Sequence, residues 1–198
     1  MSEYAEPTFV PSERFDRALT RAVEYHRGQR RKGSGTPYVG HLLAVAGYVL
    51  EDGGSEDEAI AALLHDALED QYRDDLPSEL HEEFGPEVLA IVEGCSQEKL
   101  PGEKLTWRER KERYIDNLEA ASPQVCRVSL ADKLANVRSM LRDHREVDER
   151  LWQRFNAGPE HIVWYYESLA EHYSSLRPGA MADEFAHEVG RLRKLVRG

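Results

Sequence analysis

Ala61-Ala62-Leu63-Leu64-His65-Asp66-Ala67-Leu68-Glu69-Asp70 is the stretch from which the rest of the chain is read. Ile60, Leu63, Leu64 and Leu68 recur at helical spacing and mark an apolar stripe that faces a core. The helix carrying that stripe runs straight into four polar residues. His65 and Asp66 are adjacent, so they leave neighbouring faces of one turn. Glu69 and Asp70 follow four residues on and stand directly above them. Three carboxylates and an imidazole within two turns repel one another and stay hydrated unless a cation gathers them. A bound divalent metal does this economically. An exposed acidic helix end beside an ordinary histidine is the other reading, since a metal needs further ligands from elsewhere in the chain.

The surrounding composition limits what such a site can serve. The chain has 198 residues, 32% of them charged, with a formal net charge of −11. A domain of this size buries roughly 70% of the surface of its unfolded chain, enough for a full core. The acidic balance argues against non-specific binding to nucleic acid or to an anionic membrane. A phosphorylated ligand therefore has to be held by a local cationic patch or a metal. Cys95 and Cys126 make no disulfide framework, so the cytoplasm is the expected compartment. The start, Met1-Ser2-Glu3-Tyr4-Ala5-Glu6, lacks the apolar run of a secretory signal. No stretch approaches the roughly 18 apolar residues that span a bilayer.

Working outward, the pattern is helical throughout. Residues 1–11 read as a flexible arm and residues 12–198 as one domain. Pro11-Ser12 opens a helix with Phe15, Leu19, Ala22, Val23 and His26 on one face, ending at Gly28. A loop follows in which Arg27, Arg30, Arg31 and Lys32 fall within six residues. Such a run is usually a solvated turn, but Gly33 and Gly35 beside it would let cations approach a ligand closely. Pro37 suits the first turn of a second helix, with Tyr38, His41, Leu42, Val45 and Val49. His41 lies on or beside its apolar face, where a lone histidine is more often a core residue than a ligand. Gly53-Gly54 stops that helix, and Ser55 with Glu58 forms a capping box for the helix that leads to His65.

Downstream, Leu80 and Phe84 mark a short helix ended by Gly85, and Pro86 opens the next. Cys95 to Lys104 reads as a loop around Pro101-Gly102. Thr106 and Glu109 form a second capping box. Pro123 opens a helix with Val125, Val128, Leu130, Leu134, Val137 and Leu141. Asp132 sits in it between apolar neighbours, with Asn136 one turn on. An acid there is costly unless paired or metal-bound, and a rim aspartate paired to an arginine is the alternative. Asp143 to Glu149 reads as a charged loop and Leu151 to Asn156 as a helical turn. Two further amphipathic helices are separated by Pro178-Gly179. No strand alternation or repeat is present. The expected architecture is all-α, a single bundle of eight to ten helices.

One histidine, then His65-Asp66, then Asp132 form an H…HD…D pattern. In this the chain resembles the HD superfamily of metal-dependent phosphohydrolases. It is most similar to the hydrolase domain of RelA/SpoT enzymes and to stand-alone small alarmone hydrolases of the metazoan SpoT-homologue kind. The resemblance is carried by Gly28-Gln29-Arg30-Arg31-Lys32 with Thr36-Pro37-Tyr38-Val39-Gly40-His41, by residues 61–70, by Phe84-Gly85-Pro86-Glu87-Val88, by Glu109-Arg110-Lys111, and by Leu130-Ala131-Asp132-Lys133-Leu134-Ala135-Asn136-Val137-Arg138. It reaches from about residue 15 to 140, and more weakly to about 175. A lone His-Asp pair is weak evidence; His-Asp followed by Glu-Asp, with these flanking segments, is strong.

The resemblance implies a helical bundle around one Mn2+ bound by His41, His65, Asp66 and Asp132. It implies that Glu69 and Asp70 position and deprotonate the attacking water. Arg31 and Lys32 would line or stack on a purine with Tyr38 nearby, and Asn136 would hydrogen-bond the nucleotide. Lys133 and Arg138 would contact phosphate or serve as salt-bridge partners. Arg110 and Lys111 match a basic pair of the family and join the expected substrate contacts. Trp152, Phe155, Asn156, Trp164 and Tyr165 would either close the pocket or belong to the core. The implied reaction is removal of the 3′-pyrophosphate of (p)ppGpp. The alternatives are removal of the 2′-phosphate of NADPH and a catalytically inactive nucleotide sensor. No nucleic acid or membrane partner is expected, and the sequence carries no sign of an oligomeric state.

Overall fold

A computed structural model describes residues 9–32, 34–96 and 105–198. Most of the expected arm, and the loop around Pro101-Gly102, lie outside the described residues. The described chain is helical: α1 (Glu13–Tyr25), α2 (Val39–Glu51), α3 (Glu56–Leu64), α4 (Ala67–Asp70), α5 (Leu76–Phe84), α6 (Pro86–Cys95), α7 (Trp107–Glu119), α8 (Pro123–Val147), a 3-10 helix (Asp148–Arg154), α9 (Pro159–Leu176) and α10 (Ala180–Arg197). Among the described residues there is no strand; Arg30 and Pro37 form one isolated antiparallel bridge across the basic loop. No described helix is long and apolar enough to cross a membrane.

The helix boundaries follow local chemistry. Ser12, Ser55, Thr106 and Ser122 accept backbone N–H groups at the starts of α1, α3, α7 and α8. Ser55–Glu58 and Thr106–Glu109 form full capping boxes, each satisfying orphan donors in both directions. Gly85 sits at φ +91° between α5 and α6, a conformation that a side chain would resist. Upstream of α1, Phe9 packs against Phe15, and the Ser12 N–H donates to Glu56 at 2.7 Å.

α3 is the hub. It packs against α1, α2, α6 and α8, and Ala59 through Leu64 have no exposed surface. The sequence stripe was too narrow a reading: this helix is apolar all round because it is surrounded. The helix also does not run on into residues 66–70. It ends at Leu64, His65 and Asp66 form a turn, and α4 restarts at Ala67. Asp66 has ψ of −2°, away from helical values. The offset of four nevertheless survives, because the Asp70 N–H donates to the Asp66 carbonyl at 2.9 Å.

α8, 25 residues long, is the second axis of the bundle, packed against α2, α3, α6 and α10. It continues to Val147, so the expected charged loop beginning at Asp143 is instead its last turns. Charge density suggested a loop, but Asp143 is buried at 9% exposure, facing the 3-10 helix rather than solvent. α9 and α10 pair with each other and close the bundle against α7 and α8.

Candidate functional site

Four elements converge beside the break after α3. The first turn of α2 supplies His41, the α3 terminus His65, the following turn Asp66, and the middle of α8 Asp132. His41, His65 and Asp132 are buried, and one ligand atom from each lies within 4.8 Å of the others. His41 Nε2 is 3.1 Å from Asp132 Oδ1 and 3.7 Å from Asp66 Oδ2. His65 Nε2 is 3.1 Å from Asp66 Oδ2 and 3.7 Å from Asp132 Oδ1.

The surroundings orient these groups. His65 Nδ1 lies 2.8 Å from the Ala62 carbonyl, which can only accept, so Nδ1 carries the hydrogen. Nε2 is thereby turned to the carboxylates, and it is buried without a hydrogen bond. An imidazole fixed through one nitrogen by a backbone carbonyl, with the other aimed at oxygens, is the usual disposition of a metal ligand. The Tyr38 hydroxyl donates to Asp66 Oδ2 at 2.5 Å. Lys133 Nζ donates to Asp132 Oδ2 at 2.7 Å, and the Asn136 amide donates to Asp132 Oδ1 at 2.6 Å.

Electrostatics divide the cluster. Burial alone would lower the His65 pKa, but the Asp66 and Asp132 carboxylates outweigh it and hold the imidazolium form well above the ordinary range. Burial likewise opposes ionisation of Asp132, yet Lys133 and the two histidines keep its pKa well below the usual value. Asp66 is lowered mainly by His65 against the same burial cost. His41 is lowered because desolvation exceeds the help from Asp132. In this arrangement a proton on His65 stands where a cation is called for. Two imidazole nitrogens and two carboxylates form a donor set suited to a borderline-to-hard divalent ion.

A cavity of about 180 Å³ opens from the cluster, lined by Tyr38, His41, His65, Asp66, Glu69, Cys95, Tyr114, Ser129, Asp132, Lys133 and Asn136. A second, of about 310 Å³, shares Tyr38 and Asn136 with it and continues past Arg31, Lys32, Ser34, Ser139, Met140, Asp143, Leu151, Arg154, Phe155 and Tyr166. Arg31 lines the second and is tied to Asn136, which lines both. It donates to Asn136 Oδ1 at 2.8 Å, with its guanidinium 5.9 Å from the Tyr38 ring centre.

Not every expected site residue reaches these cavities. Glu69 lines the first, whereas Asp70 is exposed and accepts a 2.6 Å bond from the Gln29 side chain. Lys133 pairs with Asp132 and lies 4.8 Å from the Tyr114 ring centre. Arg138 points away, pairing with Glu184 and Glu188 on α10. Arg110 donates to the Leu105 carbonyl and is exposed, and Lys111 stacks on Tyr165; neither lines a described cavity. Of the aromatic group, Phe155 lines the second cavity, Trp152 is buried, and Trp164 and Tyr165 pack on Trp107 of α7.

Among the lining residues that the sequence did not point to are Tyr114, Ser129, Asp143 and Arg154. Ser129 bridges Tyr114 and Tyr173 by two 2.5 Å hydrogen bonds. Ser129 lies three residues before Asp132, so helical spacing from that ligand was the available signal.

The family model of the HD domain matches residues 18–157. The chain belongs to the HD-domain family. Within it, the HD domain described here is 39% identical over 124 residues to a Danio rerio protein named guanosine-3′,5′-bis(diphosphate) 3′-pyrophosphohydrolase MESH1. That match covers 61% of this chain and 66% of the relative, so the chain spans just under two thirds of that relative's length. A GTP pyrophosphokinase of Streptomyces coelicolor is 34% identical over 185 residues, covering 88% of this chain but 21% of that much longer protein. A solved structure described as a metazoan ortholog of SpoT that hydrolyzes ppGpp superposes with a TM-score of 0.73 at 28% identity. It covers 94% of this chain and 99% of that one.

Proposed function

We propose that this HD domain is a Mn2+-dependent hydrolase that removes the 3′-pyrophosphate of (p)ppGpp, giving GDP or GTP and pyrophosphate. The observation that carries the reading is the cluster His41, His65, Asp66 and Asp132, with its buried, unbonded His65 Nε2, in a cavity that shares Tyr38 and Asn136 with a second one lined by Arg31. The names of the relatives support the same substrate.

Those four residues would hold the ion, which supplies Lewis acidity toward a phosphoryl oxygen and toward water. The chain's own residues do the rest. Glu69 on the cavity wall orients a water and takes its proton, with Asp70 beside it in sequence as its partner. Tyr38 orients the Asp66 carboxylate through its hydroxyl, and Lys133 holds Asp132 ionised. Arg31, braced by Asn136, presents a planar cation to a purine ring, and Lys32 at the rim adds charge. Arg110 and Lys111 line neither described cavity and are given no role in this reading.

A single 2′-phosphate, as in NADPH, asks less of the cationic groups and brings a dinucleotide tail for which no further recognition site is evident among the described residues. We therefore rank (p)ppGpp above NADPH. Purified protein with Mn2+, offered both compounds and common nucleotides, with products resolved by chromatography, tests the reading. Preferential turnover of ppGpp to GDP and pyrophosphate is expected. Preferential turnover of NADPH would reverse the ranking, and turnover of neither would point to a nucleotide sensor.

A further inference from the structure

The second cavity is lined by a charged pair, Asp143 and Arg154, that the proposed chemistry does not use. Asp132, Asn136, Met140 and Asp143 follow one another at helical spacings of four, four and three, so they line one face of α8. Asp143 lies about 16 Å along the helix from Asp132 at a rise of 1.5 Å per residue. A nucleotide whose phosphate sits at the His–Asp cluster, and whose ribose passes Asn136, brings its base to this pair.

The base would meet a slot of mixed character. Arg31, Met140, Leu151 and Phe155 offer flat or apolar surface. Beside them, Asp143 is 9% exposed and receives one hydrogen bond, from Arg154 Nη1 to Oδ2 at 3.2 Å. Arg142 Nε is 3.7 Å from Oδ1, beyond hydrogen-bond reach. A buried carboxylate retains acceptor capacity for several donors and is costly when they are missing.

The chemistry of the pair selects among bases. Guanine presents two adjacent donors, N1–H and the N2 amine, next to the O6 acceptor. A carboxylate beside a guanidinium is the complementary arrangement: Asp143 accepts from the two donors and Arg154 donates to O6. Adenine presents an N1 acceptor where guanine has a donor, which sets lone pair against lone pair at Asp143. We propose that Asp143 and Arg154 read the Watson–Crick edge of guanine and so determine the base specificity of this site. The proposal rests on the reading that these two neighbouring cavities bind a nucleotide 3′-pyrophosphate.

The test compares kcat/KM for the 3′,5′-bis(diphosphates) of guanosine and adenosine, using the full chain with Mn2+. The wild type should favour guanosine strongly. Asp143→Asn should lower the guanosine-to-adenosine ratio by roughly 10-fold or more, because a carboxamide offers one acceptor and one donor and matches adenine. Arg154→Gln should lower the ratio through guanosine alone, and its result decides should Asp143→Asn fail to give a cooperative melt. A pair that merely braces the 3-10 helix against α8 would change both substrates in proportion, and that outcome overturns the proposal. Equal wild-type turnover of both substrates overturns base reading while leaving the hydrolase reading intact. Turnover of neither overturns both.

Discussion

At the scale of single residues, His65 carries the most. Its Nδ1 is committed to the Ala62 carbonyl and its Nε2 faces two carboxylates, so no neighbour can stand in for it on that turn. His65→Ala should abolish metal binding, measured by elemental analysis after gel filtration, while circular dichroism keeps its helical signal. Full metal occupancy in that variant would remove His65 from the ligand set. Glu69→Gln should bind metal and substrate yet lose turnover by roughly 100-fold or more, the usual scale for a positioned base. Asp70→Asn should do the same, and loss of metal from either variant would make that residue a ligand. The set His41, His65, Asp66 and Asp132 came from the resemblance; the residues by themselves offered the run from His65 to Asp70 and Asp132, an acid among apolar neighbours that is costly without a partner. Asp143 and Arg154 were not, since a charge in a run of charges carries no signature of burial. Arg138 was ambiguous for the opposite reason: its acidic partners lie on α10, some fifty residues on in sequence.

At the scale of elements, punctuation in the sequence located most helix ends. Ser55 and Thr106 cap α3 and α7, and Gly85-Pro86 separates α5 from α6, as the residues suggested. The break after Leu64 was not legible, because Ala67 and Leu68 continue a helical pattern and neither Gly nor Pro interrupts it. The turn is set by tertiary demands: Tyr38 and His65 draw Asp66 inward, out of register with α3. The extent of α8 was also obscured, since its last two turns are charged on the outside while Met140, Leu141 and Asp143 remain buried. The Ser55 cap offers a test of how far α3 positions the site. Ser55→Ala should cost about 1 kcal/mol, a fall in Tm of roughly 2–4 °C for a domain of this size. An unchanged melting curve would mean that the packing around α3, rather than its cap, fixes the end that carries His65.

At the scale of the whole molecule, an acidic chain of net charge −11 builds a buried cluster in which the His65 proton and Lys133 balance the Asp66 and Asp132 carboxylates. Metal binding should therefore be linked to protons. In the metal-free protein His65 is held protonated above its ordinary range by Asp66 and Asp132, after burial has opposed it. Its folded pKa is raised, so this proton stabilises the metal-free fold fully below the unfolded histidine value and the contribution is lost as pH rises through the folded pKa. A metal must displace that proton. Mn2+ affinity should rise with pH by about tenfold per unit while one proton is released, and calorimetry in buffers of different ionisation enthalpy should register its release. A pH-independent affinity would mean that His65 is already neutral. The central claim, that one metal at this cluster makes the site hydrolytic, is tested most directly by titrating the metal-free protein with Mn2+ while following pyrophosphate release from ppGpp. Activity should be absent at the start, rise linearly, and saturate at one Mn2+ per chain. Undiminished release in the presence of a chelator, or saturation only at two ions per chain, would contradict it.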